Sequence, residues 1–180
     1  MSSSPSAPTR RVRITLLTLC ALIAAVLLVL PSRAEAAADP PGAGTWLWPV
    51  AGGRTVVEPF RAPAHAYGPG HRGIDIAADD VVRAPAAGVV AFRGTVVDRP
   101  LITIDHGGGN VSTLEPVQSE LTPGTVVAQG EAIGTLSVGG HAARGALHIG
   151  VRWNDVYLNP MLMFGRVPRA VLIPCGASGC

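Results

Sequence analysis

The chemistry open to this chain rests on five histidines, at positions 65, 71, 106, 141 and 148, in a sequence of 180 residues that contains no lysine. In Gly70-His71-Arg72-Gly73-Ile74-Asp75-Ile76, His71 and Asp75 stand four residues apart across Gly73. Side chains of an extended chain alternate between faces, so this imidazole and carboxylate project together while Ile74 and Ile76 turn toward a core. In Ala146-Leu147-His148-Ile149-Gly150-Val151-Arg152-Trp153 the same alternation buries Leu147, Ile149 and Val151. Ala146, His148, Gly150 and Arg152 then form the opposite face. Two imidazoles and one carboxylate make a three-ligand zinc site with an open fourth position, the pattern of catalytic rather than structural zinc. His71, Asp75 and His148 are the candidate ligands.

These residues must be positioned by strands. Short apolar runs rich in Val, Ile and Thr, broken by Gly, Pro and Asp, cover 55–57, 74–76, 88–92, 101–105, 111–115, 125–127, 133–138 and 147–153. Residues 101–105 and 111–114, joined by His106-Gly107-Gly108-Gly109-Asn110, read as a hairpin. Beyond the N-terminal segment no stretch has a sustained 3.6-residue period, and 160–164 is at most one helical turn. The expected fold is all-β, a compact twisted sheet arrangement around one core. The 22 Gly and 16 Pro are spread through the chain and indicate turns. The cadence from Gly88-Val89-Val90 to Gly130-Glu131-Ala132-Ile133-Gly134 is similar to that of lipoyl or biotinyl carriers. Such carriers need a lysine for the cofactor, so that reading is excluded.

Residues 14–30 are 17 residues without a charge, preceded by Arg10, Arg11 and Arg13 and followed by small residues that include two A-x-A patterns. This is the pattern of a secretory signal. The alternative is an uncleaved helical anchor, and either one puts the rest of the chain beyond the membrane, secreted or in the cell envelope. The expected organisation is a signal or anchor over 1–38, a linker over 39–45, one domain over 46–165 and a tail over 166–180. Residues 39–180 carry ten Arg against 11 Asp and Glu, so no basic surface for nucleic acid is expected. Contact with a membrane is expected only through the N-terminal segment, if it is uncleaved. Cys175 and Cys180 are expected either as a disulfide closing a small loop or as two free thiols.

In order along the chain come HRGIDIAA, Arg83-Ala84-Pro85-Ala86-Ala87-Gly88-Val89-Val90, IDHGGGNVSTLEPV, GTVVAQGEAIGTL and ALHIGVR, then Tyr157-Leu158-Asn159-Pro160. This series resembles the lysostaphin-type (LytM-like) zinc peptidoglycan endopeptidases over roughly residues 46–165. The resemblance implies an antiparallel β core, one zinc ion, and action on the peptide cross-links of bacterial peptidoglycan. It also puts the family's zinc ligands on His71, Asp75 and His148. Two catalytic histidines of the family fall on other residue types. Ala146 stands two residues before the last ligand, and Pro116 stands where the imidazole of a Y-x-H pattern is expected.

Without those imidazoles, base and oxyanion roles would pass to His141 or Glu115. In a regular strand Glu115 faces away from position 116, so a bulge is expected to be needed to bring it round. His141 lies in a Gly-rich loop. His106 is expected to cap its turn, His65 to lie near a cleft, Arg152 to be solvated or to meet a substrate carboxylate, and Trp46 and Trp48 to pack a strand edge. Two functions follow: an exported zinc peptidase of peptidoglycan peptides, or a degenerate relative that binds cell wall or a partner hydrolase without cutting.

Overall fold

The computed structural model describes residues 38–65, 67–140 and 143–165, and the division of the chain into two units falls after Ala38. The apolar N-terminal run, His141, the tail from residue 166 and the Cys175 and Cys180 pair lie outside the described residues. The strands are β1 (Val56–Glu58), β2 (Gly73–Ala77), β3 (Val81–Arg83), β4 (Gly88–Val96), β5 (Arg99–Asp105) and β6 (Asn110–Glu115). They continue with β7 (Val117–Gln118), β8 (Val126–Val127), β9 (Ala132–Leu136), β10 (Ala146–Trp153) and β11 (Val156–Leu158). A 3₁₀ turn, Pro160–Leu162, is capped by the side chain of Asn159, which accepts from the Met161 amide. Among the described residues no helix is long and apolar enough to cross a membrane.

The all-β expectation holds, and the pairings within both sheets are antiparallel. The larger sheet runs β1-β2-β10-β6-β5-β4-β8, with β11 also pairing to β10, and the smaller runs β3-β9-β7. The expected hairpin is β5–β6, in register from Ile102 opposite Leu114 to Asp105 opposite Val111. A second hairpin, β4–β5, was not expected: Val96 pairs with Arg99 around a two-residue turn in which Val97 takes φ 61°. Such turns normally use Gly, Asn or Asp, because a β-branched residue is costly at positive φ. The Val97-Asp98 pair therefore gives no turn signal.

One face of the larger sheet carries the core. Ile74 and Ile76 of β2, Leu147, Ile149 and Val151 of β10, Leu114 of β6, and Ile102 and Ile104 of β5 are all buried there. Trp46 and Trp48 also join this cluster instead of covering a strand edge, with Phe164 at 5.0 Å from the Trp48 ring. Within residues 39–45, expected as a linker, there are hydrogen bonds to the rest of the domain. Gly44 donates to Leu162 O (3.0 Å), and Asn110 Nδ2 donates to Pro41 O (2.8 Å).

His106 has the structural role expected of it. Its Nδ1 lies 2.9 Å from Ala87 O and its Nε2 lies 2.8 Å from Ser112 Oγ. Its ring packs against Trp46 at 4.5 Å. Because the Ala87 carbonyl can only accept, Nδ1 carries the proton. Burial pushes the pKa of His106 below the ordinary histidine value, partly offset by the Ala87 carbonyl and the Asp105 charge. The unfolded chain therefore binds the extra proton first as pH falls through about 6.5. The contribution of His106 to stability is complete above that pH and is lost progressively below it. In denaturant unfolding of wild type and His106→Gln, the advantage of wild type should be larger at pH 8 than at pH 5. An advantage that grows in acid would contradict this account.

Candidate metal centre and its cavity

Strands β2 and β10 build the site by direct pairing. Asp75 lies opposite His148, and Gly73 lies opposite Gly150. Opposed residues of an antiparallel ladder share a face, so the carboxylate and the imidazole leave the sheet together. His71 precedes β2 and is fixed by a bridge to Arg61, with backbone hydrogen bonds of 3.0 and 2.9 Å. Its Nδ1 donates to Pro59 O at 2.9 Å. In the neutral imidazole that leaves Nε2 with its lone pair directed at the other two groups.

The result is a tight cluster. His71 Nε2 lies 3.2 Å from Asp75 Oδ1 and 3.1 Å from His148 Nδ1, and His148 Nδ1 lies 2.7 Å from Asp75 Oδ1. All three side chains are buried. Lone pairs and a negative charge drawn to one buried point need a cation between them, a proton or a metal. Two imidazoles and one carboxylate suit a divalent ion such as zinc. The chain makes room for the cluster at Gly73. A Cβ there would lie 2.3 Å from Ile149 O and 2.6 Å from His148 Nε2.

His71 and His148 of the cluster line a cavity of about 450 Å³, together with Arg72, Arg99, Glu115, Gly150 and Tyr157. Glu115 corrects one expectation. No bulge is needed to bring it round, because the β6–β10 register places it opposite His148, on the face of the cluster. It is buried, and its Oε2 lies 2.9 Å from Arg99 Nε. The N–H of Arg99 is poorly aligned with that oxygen, so the contact is mainly an ion pair. The contact with Glu115 leads in holding the Arg99 pKa above its ordinary value, Asp98 adds to it, and burial opposes it.

The other expected positions fall around this centre. Ala146 is buried on β10 opposite Ala77. Pro116, between β6 and β7, lines a separate recess with Ser137 and Gly139. His65 is absent from the lining of the main cavity. Arg152 lies over the Tyr157 ring at 5.9 Å and 3.7 Å from Asp155 Oδ1. Sequence reasoning missed Arg72, Arg99 and Tyr157 as cavity residues. Alternation marks which residues share a face of one strand, and none of these three belongs to the strands that carry the ligands.

Residues 69–160 match Peptidase family M23, a span that contains the whole cluster and Glu115. The chain belongs to that family. An uncharacterized protein of Mycobacterium tuberculosis is 32% identical over 129 residues, covering 67% of this chain and 52% of the relative. The chain thus spans about half the length of the curated relatives it matches. A chain from a crystal structure of a SpoIIIAH and SpoIIQ complex is similar in fold, with TM-score 0.57, 20% identity, and coverage of 64% of this chain and 97% of that one. A zinc-containing peptidase from Vibrio cholerae gives TM-score 0.55 and 19% identity, covering 63% of this chain and 38% of that one. The lysostaphin-type fold expected from the sequence is the fold observed.

The close approach at Gly73 has a measurable consequence. A methyl there must separate β2 from β10 or displace the His148 ring, because Ile149 O is backbone and cannot swing aside. Gly73→Ala should lower unfolding stability by about 1–3 kcal/mol and shift the His148 ring resonances in an NMR spectrum. Unchanged stability and unchanged ring signals would show that the strands accommodate the methyl.

Proposed function

We propose that this protein is an exported zinc peptidase acting on peptides of bacterial peptidoglycan, with the metal held by His71, Asp75 and His148. The observation that carries the reading is the convergence of three buried donor groups, two of them lining an open cavity, within a chain of Peptidase family M23. Zinc bound there would polarise a scissile carbonyl and lower the pKa of a coordinated water.

The chain's own residues have separate tasks in this reading. The Pro59 carbonyl fixes the tautomer and orientation of His71. Glu115 is the proton acceptor, being a carboxylate that lines the cavity beside His71 and His148. Neither the methyl of Ala146 nor the ring of Pro116 can move a proton. His141 lies outside the described residues and is the competing acid/base group. The Arg-rich start and apolar run of residues 1–38 carry the export part of the proposal.

Metal analysis of the full chain should find one zinc per molecule in wild type and none in His148→Ala. Unchanged zinc in the variant would remove the ligand assignment. With zinc loaded and peptidoglycan peptides as substrate, Glu115→Gln should lower the hydrolysis rate by about 10²–10⁴-fold, while His141→Ala stays near wild type. The opposite pattern would move the acid/base role to the loop histidine.

A second reading is supported by the fold similarity to a chain crystallised in a SpoIIIAH and SpoIIQ complex. In it the domain binds cell-wall peptide or a partner protein without cutting. Zinc-loaded wild type that retains peptide and yields no product would select that reading.

A further inference from the structure

Glu115 occupies a position from which it should close the metal site, and it does not. Asp75, His148 and Glu115 stand side by side on β2, β10 and β6, each directly opposite the next. Cα atoms opposed in this way are about 4.5–5.5 Å apart, well within the reach of a glutamate side chain. Yet the three donor atoms within 4.8 Å of one another come from His71, Asp75 and His148, and the Glu115 carboxylate lies against Arg99. A buried carboxylate needs a cation, and here two are within reach: the guanidinium and a metal.

We propose that Arg99 is a positioning residue that holds Glu115 off the metal and so keeps one coordination position open. The inference rests on the ligand assignment above. Four protein ligands make a closed, structural zinc site, and three with a vacancy make a catalytic one. Arg99 is itself held in place. It is the first residue of β5, and its stem runs against Gly139 and Gly140. A Cβ at Gly140 would lie 2.3 Å from Arg99 Cδ, and one at Gly139 would lie 3.1 Å from Arg99 Cβ. Both glycines have positive φ, 125° and 71°, so this path past the arginine is one that other residues rarely follow. The two glycines hold the arginine, the arginine holds the glutamate, and the glutamate stays beside the cluster without joining it.

The test uses the full chain loaded with cobalt(II) in place of zinc, read by visible absorption and by competition with a chromophoric chelator. Arg99→Met should change the absorption spectrum as Glu115 becomes a fourth ligand, and should tighten metal binding by about tenfold. Arg99→Met combined with Glu115→Gln should return both readings to wild type, and Arg99→Lys should keep the wild-type spectrum. If Arg99→Met does not fold, Gly140→Ala, which displaces the stem without removing the charge, should move the spectrum in the same direction. A wild-type spectrum and affinity in Arg99→Met, or in Gly140→Ala when that variant is the one available, would overturn the proposal. So would a change that persists in the double variant. Wild type that takes up no cobalt or zinc would instead overturn the ligand assignment, and this inference with it.

Discussion

The antiparallel ladder between β2 and β10 is the constraint on which the site depends. It places Asp75 opposite His148 and Gly73 opposite Gly150. The same ladder places Ile74 opposite Ile149 and Ile76 opposite Leu147 on the buried face. A slip of one residue would exchange the two faces of the strand, sending Asp75 into the core and Ile74 into the cavity. Burial of each large aliphatic side chain is worth about 1.5–3 kcal/mol, so the core holds the register and the register holds the donor groups. Site geometry and fold stability are therefore fixed by one set of strand pairs.

That arrangement has an electrostatic cost, which the chain meets with directed partners. His71, Asp75, Glu115 and His148 are all buried on the cavity side of the sheet. Each has a counterpart: the Pro59 carbonyl for His71, the two imidazoles for Asp75, the Asp75 carboxylate for His148, and the Arg99 guanidinium for Glu115. An ion pair in such a place adds little net stability compared with an apolar pair of equal volume. Its effect is geometric, because removing one member leaves a buried charge that must find another cation. For Glu115 the partner cation is Arg99, whose stem runs close against Gly139 and Gly140.

Much of this was legible in the sequence, and the limit of legibility has a physical cause. Alternation within one strand needs only local information. It put His71 with Asp75, and His148 opposite in face to Leu147, Ile149 and Val151, and the cluster agrees with it. Alternation also says that residues 115 and 116 face opposite ways, but it cannot say which of them faces the cluster. That is decided by the pairing of β6 with β10, a contact between segments more than 30 residues apart in the chain. The two- and three-residue strands β3, β7 and β11 carry too few residues for a period to be seen. Arg99 was hidden for a different reason. It follows a turn whose left-handed residue is Val97, so the segment read as a gap between strands when it is the start of β5.

The register also bears on how a family pattern is carried onto this chain. By resemblance, two imidazoles belong at positions 146 and 116. Position 146 lies on the face of β10 that carries His148, but it is buried opposite Ala77, where only a small side chain is packed. Position 116 follows the end of β6 and borders a separate recess, while its neighbour Glu115 borders the main cavity. The carboxylate at residue 115 therefore does not stand where an imidazole at 116 would. It lies one place along the chain, projects from within the strand instead of just beyond its end, and is tied to a cation from the adjacent strand. A carboxylate so placed is set by the β6–β10 ladder and by Arg99 together, so its position relative to His148 is fixed by strand pairing and does not depend on a flexible loop. The same pairing that organises the three donor groups thus also organises the carboxylate beside them.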